Sequence, residues 1–207
     1  MALKNSNEGV CMSDLTQALH DNIKRLLQQD FEADEPLLNT GATDAEFAQL
    51  AQLVGVDLPE EVKAIYRVYN GQIYEAPYLF DGEEWLSLER MAEEWAVWKG
   101  LLDDGEFAND DGAFDSDAEA GIKPLWWSPL WLPITYDGAG NHLCLDLNPT
   151  AAGTYGQVIR MWHDGGERSL EAKSFAAWVA QYVQALEAGH CVYSDEYGAI
   201  VNVDDVG

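Results

Sequence analysis

A chain of 207 residues with 47% hydrophobic and 11% aromatic residues can bury one sizeable core, which excludes general disorder. Its 37 Asp+Glu against 11 Lys+Arg give a formal net charge of −26. Such a surface repels nucleic acid and anionic membrane, and it serves either solubility or the attraction of basic partners.

No apolar run approaches the ~20 residues of a membrane span. The start, MALKNSNEGVCMSDL, has no apolar core of a secretory signal. Cys11, Cys144 and Cys191 are widely spaced without a C-x-x-C, so they read as reduced thiols of a cytoplasmic protein. Residues 1–12 lack periodicity and are expected to be a flexible leader to a single domain over 13–207. Asp14-x-x-Gln17 is a capping pattern, and Leu15, Leu19, Ile23, Leu26 and Leu27 share one face of a helix predicted over 14–29. Gln28–Ala42 reads as loop. Thr43-x-x-Glu46 is a capping box before the stripe Phe47, Leu50, Ala51, Val54, and Gly55 suits the left-handed residue after a helix. Pro59 then fits the first turn of a helix with Val62, Ile65, Tyr66 and Tyr69 inward, ended by Asn70-Gly71.

Tyr78–Phe80 and Trp85–Leu86 read as short strands around Asp81-Gly82. Ser87 caps the next helix, whose inner face is Leu88, Met91, Ala92, Trp95 and Leu102. The stretch 103–122, DDGEFANDDGAFDSDAEAGI, holds eight acids and no Lys or Arg, and is expected to be an exposed, mobile loop. Strands are predicted at Trp131–Thr135, Asn141–Leu147 and Gln157–Trp162. In the second, Leu143, Leu145 and Leu147 alternate with His142, Cys144 and Asp146, the period of a half-buried strand. Ser174 caps a last helix with Phe175, Trp178, Val179, Tyr182, Val183 and Leu186 inward and Gly189 at its end. Residues 190–207 are expected to form a small strand pair. Turns this short exclude parallel crossovers, so the fold class is α+β, with a mainly antiparallel sheet and helices on one side.

The stretch Asp137-Gly-Ala-Gly-Asn141 invites a reading as a phosphate loop or a calcium loop. A phosphate loop needs a helix directly behind its glycines; a strand follows here, and Leu143 stands where a third glycine belongs. A calcium loop fails from Asp137 because Ala139 takes the third place. From Asp115 it fails because Ala120 and Trp126 take the glycine and terminal carboxylate places. The expectation is a strand-to-strand turn using positive φ at its glycines. His142, Cys144 and Asp146, with His163 nearby, are acceptable zinc ligand types, yet a solvent-facing strand side carries the same residues. Neither a G-x-S-x-G nor a motif around any Cys is present. Trp126, Trp127 and Trp131 suggest a sugar platform, against the commoner reading as packing. No cofactor, metal or catalytic residue is assigned.

Two stretches carry a resemblance. LPEEVKAIYRVYNG (58–71) and WWSPLWLPITYDGAGNHLCLDLNPTAAGTYGQVIRMWHDGGER (126–168), with the flanking helices in order, resemble the SMI/KNR-type core of the SUKH superfamily over about residues 43–189. The matching positions are Pro59, Asn70, Gly71, Trp131, Gly138, Gly140, Asn141, Asp146, Pro149, Gly156 and Gln157. The resemblance implies an α+β SMI/KNR-like fold and a non-enzymatic binding protein. In bacteria the usual role is an immunity protein neutralising a cognate polymorphic toxin. In eukaryotes it is a cell-wall assembly regulator, so the alternative is an intracellular regulatory module. A carbohydrate-binding or glycan-acting protein is the rival outside the family. Charge adds a mechanism: a basic toxin, such as a nuclease, would be met by Asp103, Asp104, Glu106, Asp110, Asp111, Asp115, Asp117 and Glu119 of the acidic loop, without direct nucleic-acid or membrane contact.

Overall fold

The computed structural model describes residues 12–27, 36–109, 112–113 and 116–206. The leader up to residue 11, Cys11, Asp110, Asp111 and Asp115 lie outside these. The first half runs α1 (Met12–Leu27), β1 (Leu38–Thr40), α2 (Asp44–Val54), α3 (Glu60–Tyr66), β2 (Tyr69–Gln72), β3 (Glu84–Trp85) and α4 (Leu88–Asp103). Short strands follow, β4 (Ala108–Asn109), β5 (Gly112–Ala113) and β6 (Asp117–Ala118), then β7 (Trp131–Pro133), β8 (Thr135–Tyr136), β9 (His142–Asp146) and β10 (Gln157–Met161). The chain closes with β11 (Glu167–Arg168), β12 (Leu170–Ala172), α5 (Phe175–Ala188), β13 (Cys191–Ser194), β14 (Ala199–Asn202) and a 3-10 turn at Val203–Asp205.

Local chemistry fixes most helix ends. The Thr43 amide donates to Glu46 at 2.7 Å while the Glu46 amide donates to Thr43 Oγ1 at 3.3 Å, a complete capping box. Ser87 and Ser174 accept from Arg90 and Ala177 amides, and Gly55 and Gly189 end α2 and α5 at φ 87° and 75°. Three expectations are corrected. Helix α1 begins at Met12, so Asp14 sits inside its first turn rather than capping it. Residues 38–40 are strand, antiparallel to β2. Asn70-Gly71 does not end α3, which stops at Tyr66. The pair belongs to β2, where Asn70 Oδ1 accepts from the Leu88 amide at 2.9 Å. A Cβ on Gly71 would lie 2.5 Å from Ser87 N.

The main sheet has the order β12-β10-β9-β7, all antiparallel. Leu143 pairs with Arg160 and Leu145 with Val158, so these side chains share one face. There Leu143 and Arg160 line a cleft with Trp178 and Tyr182 of α5. His142, Cys144 and Asp146 point to the other face and are all 0% exposed. That corrects the half-buried reading: Trp98 of α4 lies edge-on to His142, and Trp127 packs on Trp98, closing the second face. Helices therefore cover both faces rather than one. Helix α1 packs on α5 through buried Leu15, Leu19, Ile23 and Leu27, with Arg25 donating to the Leu186 carbonyl at 3.0 Å. Strands β13 and β14 form the expected terminal hairpin.

Candidate functional site

The Asp137–Asn141 turn joins β8 to β9 and spends its polar groups on itself. Asp137 Oδ1 accepts from the Ala139 and Asn141 amides at 2.8 and 3.0 Å, and Oδ2 accepts from Asn141 Nδ2 at 2.6 Å. Partial burial raises the Asp137 pKa, but these hydrogen bonds outweigh it and hold the carboxyl below its usual range. Gly138 and Gly140 have φ 84° and 109°. A Cβ on Gly140 would press on the His163 side chain, 3.1 Å from its Cβ and 3.2 Å from the ring. Asn141 Oδ1 accepts from the His163 amide at 2.8 Å, tying the turn to the end of β10. A β-strand follows the glycines, so no row of helix N–H groups points into the turn.

The matching residues of the next loop form a second internal network. Asp146 accepts from Gln157 Nε2 at 2.9 Å and from the Asn148 amide at 3.0 Å. Gln157 also donates to the Gly121 carbonyl, and a Cβ on Gly156 would collide with Pro59 at 2.7 Å. Pro149 packs against Gly153, where a Cβ would lie 2.8 Å away. Trp131 is fully buried. The zinc reading fails on geometry: Trp98 Nε1 donates to His142 Nε2 at 3.2 Å and His142 Nδ1 lies 2.7 Å from the Thr135 carbonyl. Both ring nitrogens are engaged, with Nδ1 carrying the proton. Among the described residues no three His, Cys, Asp or Glu side chains gather as a metal cage.

Trp126, Trp127 and Trp131 do not form a shared sugar platform either. Trp127 and Trp131 are buried, and Trp126 and Trp131 lie against the guanidinium of Arg168 at 5.3 and 6.0 Å. Arg168 is a buried cation held by carbonyls rather than by a carboxylate. It donates to Gly165 and Glu167 at 2.6 Å and to Trp126 at 2.5 Å. Burial pushes its pKa down to about 10, which leaves it charged near neutrality.

Arg168 also positions half of the acidic stretch. Strand β6 runs parallel to β11, with the Asp117 amide on the Gly166 carbonyl and the Glu119 amide on the Arg168 carbonyl. Glu119 accepts from the Leu170 amide at 3.0 Å. This half is docked, which corrects the expectation of a mobile loop throughout. The other half begins at the end of α4. Asp103 pairs with Lys99, Asp104 is the last-turn cap, and Asp104, Glu106 and Asp117 are exposed.

Beside that half lies a groove of about 360 Å³. Val97 and Leu101 of α4, 59% and 37% exposed, form one wall; Trp98, Phe107, Trp126 and Tyr136 supply aromatic surface; Gly140 and His163 close it at the turn. Tyr136 stacks on His142 and Phe107 on Trp98, so the aromatic surface rests on the buried layer above β9. Glu94 and Glu106 border it. The nearby cations are spent: Arg90 binds Glu84, Glu93 and Glu94, and Lys99 binds Asp103. An apolar centre with an acidic edge can hold an apolar side chain flanked by basic ones. The periodic pattern held a signal for Trp98, three residues after Trp95 and seven after Met91, that was missed; nothing in the sequence marks Val97 and Leu101 as exposed.

A family profile described as SMI1 / KNR4 family (SUKH-1) matches residues 41–181. The chain is 26% identical to a cell wall biosynthesis/cell cycle regulator smi1 of Schizosaccharomyces pombe, over 75% of this chain and 33% of that protein. It is 24% identical to a glucan synthesis regulatory protein of Neurospora crassa, over 82% of this chain and 38% of the relative. The cell wall assembly regulator SMI1 of Saccharomyces cerevisiae is 22% identical over 77% of this chain and 38% of its own length. The chain thus spans little more than a third of these fungal relatives. With the match covering most of the chain and the α+β fold in place, this protein belongs to the SMI1/KNR4 (SUKH-1) family.

Proposed function

We propose that this chain is a non-enzymatic protein-interaction module that acts inside the cell as a regulator, in a process connected with cell-wall assembly. The observation that carries the binding role is the groove at Val97 and Leu101, apolar and aromatic at its centre and acidic at its edge. The names of the fungal relatives support the regulatory setting. A binding role without catalysis agrees with the state of the buried charges. Glu83 lies in a cleft with its pKa raised by burial, yet each carboxylate oxygen has a donor, Arg160 at 2.6 Å and the Thr135 hydroxyl. Such a group supports structure rather than proton transfer. The partner would present apolar side chains among Lys or Arg, and Asp103, Asp104, Glu106 and Asp117, with Asp110, Asp111, Asp115 and Glu119, would speed its approach.

The test is co-purification of partners from source cells with the wild-type chain and with Val97→Arg/Leu101→Arg. Both positions are exposed, so the fold should survive, as circular dichroism would check. Loss of bound partner by at least about tenfold is expected, the effect of removing a hot spot. Unchanged capture by the folded double variant rejects this face.

A second reading is neutralisation of a basic toxin. It draws on the excess of 37 acids over 11 bases. Co-expression with the product of the adjacent gene tests it: rescue of growth supports it, and a harmless neighbour speaks against it.

A further inference from the structure

Helices α2 and α4 pack side by side but leave a second groove between them, of about 580 Å³, on a different side of α4 from Val97 and Leu101. Its floor is Leu50 and Leu88, with Ala92 and Ala96 along α4. Leu53 on α2, 44% exposed, extends the apolar lining to its edge. Ala92 and Ala96 stand one turn apart, a rise of about 6 Å, and their small side chains let another backbone come close. The charged residues lining the groove are Glu46, Glu89 and Glu93, and no Lys or Arg lines it. Glu93 shares its charge with Arg90, while Glu46 is held as an anion by the Thr43 hydroxyl and amide.

We infer that this groove is a docking site for one amphipathic helix of a partner protein, with an apolar stripe at i, i+3/i+4, i+7 and Lys or Arg on both flanks. The shape argues for a helix: two packed helices offer a trough into which a third lays its ridge at 8–10 Å between axes. Charge chooses the flanks, since an acidic helix would meet only like charges. The site goes beyond the reading of the Val97–Leu101 groove and does not depend on it.

The probe is a synthetic helical peptide of about 15 residues with that Leu/Lys pattern. A scrambled peptide of equal composition breaks the stripe and controls for the chain's overall negative charge. Anisotropy against the full chain should show the patterned peptide binding at least tenfold more tightly. NMR shifts should map to Leu53, Ala92 and Ala96 and spare Val97 and Leu101. Ala96→Arg, at an exposed position, should bring the patterned peptide down to the scrambled level. Equal affinity for both peptides overturns the inference, as do shifts confined to Val97 and Leu101. Sedimentation of the free chain as a dimer that Ala96→Arg converts to monomer also overturns it, because the occupant is then a second copy. Failure here with partner loss still seen in Val97→Arg/Leu101→Arg rejects this groove alone.

Discussion

The Asp137–Asn141 turn and the stretch 103–119 are both rich in Asp and Gly, and the fold uses them in opposite ways. In the turn, one carboxylate receives hydrogen bonds from donors two and four residues on, while Asn141 receives one from His163. Its charge is consumed where it stands. Beyond α4, Asp104 and Glu106 have no such local donors among the described residues and face water next to an apolar groove. The acidic stretch itself divides: Asp117 and Glu119 are pinned by backbone pairing to β11, over the buried Arg168. Acidic composition alone therefore assigns no role. What separates a structural carboxylate from one left to solvent is whether donors lie within reach in the native fold.

That contrast is open to direct attack. Arg168→Ala should have the largest effect, about 3 kcal/mol of stability in urea unfolding, because three carbonyls lose their donor beside two tryptophans. It should also speed hydrogen exchange at the Asp117 and Glu119 amides, and unaltered exchange would remove Arg168 as the clamp. Asp137→Ala should cost about 2 kcal/mol, since hydrogen bonds to a charged acceptor are lost. The sign with pH follows from the lowered pKa of Asp137: its contribution is complete above about pH 4 and fades as the pH falls through the folded-state value. The gap between wild type and Asp137→Asn should narrow accordingly in acid.

His142 should give a smaller signature of the same sign, at higher pH. Burial lowers its pKa despite the Thr135 carbonyl and nearby Glu94, so the folded state prefers the neutral ring. The unfolded chain takes up its proton first on acidification, and stability falls as the pH drops below about 6.5. His142→Gln should flatten that part of the pH profile, and nitrogen NMR should find the proton on Nδ1. Smallest of all, Asp104→Asn, Glu106→Gln and Asp117→Asn should each shift stability by no more than about 0.5 kcal/mol. A cost near that of Asp137→Ala at any of the three would erase the distinction between the two regions.

The sequence made legible what local chemistry decides. Thr43, Ser87 and Ser174 announced their helices, Gly55 and Gly189 ended them, and the glycines of Asp137–Asn141 marked a turn. What it hid depended on distant partners. The alternation of β9 promised a wet face, but Trp98 and Trp127 arrive from elsewhere to bury it. Asn70-Gly71 looked like a helix end because its true partners, Leu86 to Leu88, are close only in space. Half of the candidate groove was visible as acid content; its apolar wall was not, because helical periodicity identifies residues that match a core and is silent on which apolar ones remain outside.

The central claim is that the outer side of α4 next to the acidic stretch is where a partner sits. Site-specific photo-crosslinking in source cells tests it most directly, with the crosslinker at Val97 and, as a control, at exposed Glu187 on α5. The account predicts a discrete, salt-sensitive adduct with a basic protein from Val97 and none from Glu187. An adduct from Glu187 with none from Val97 would contradict it.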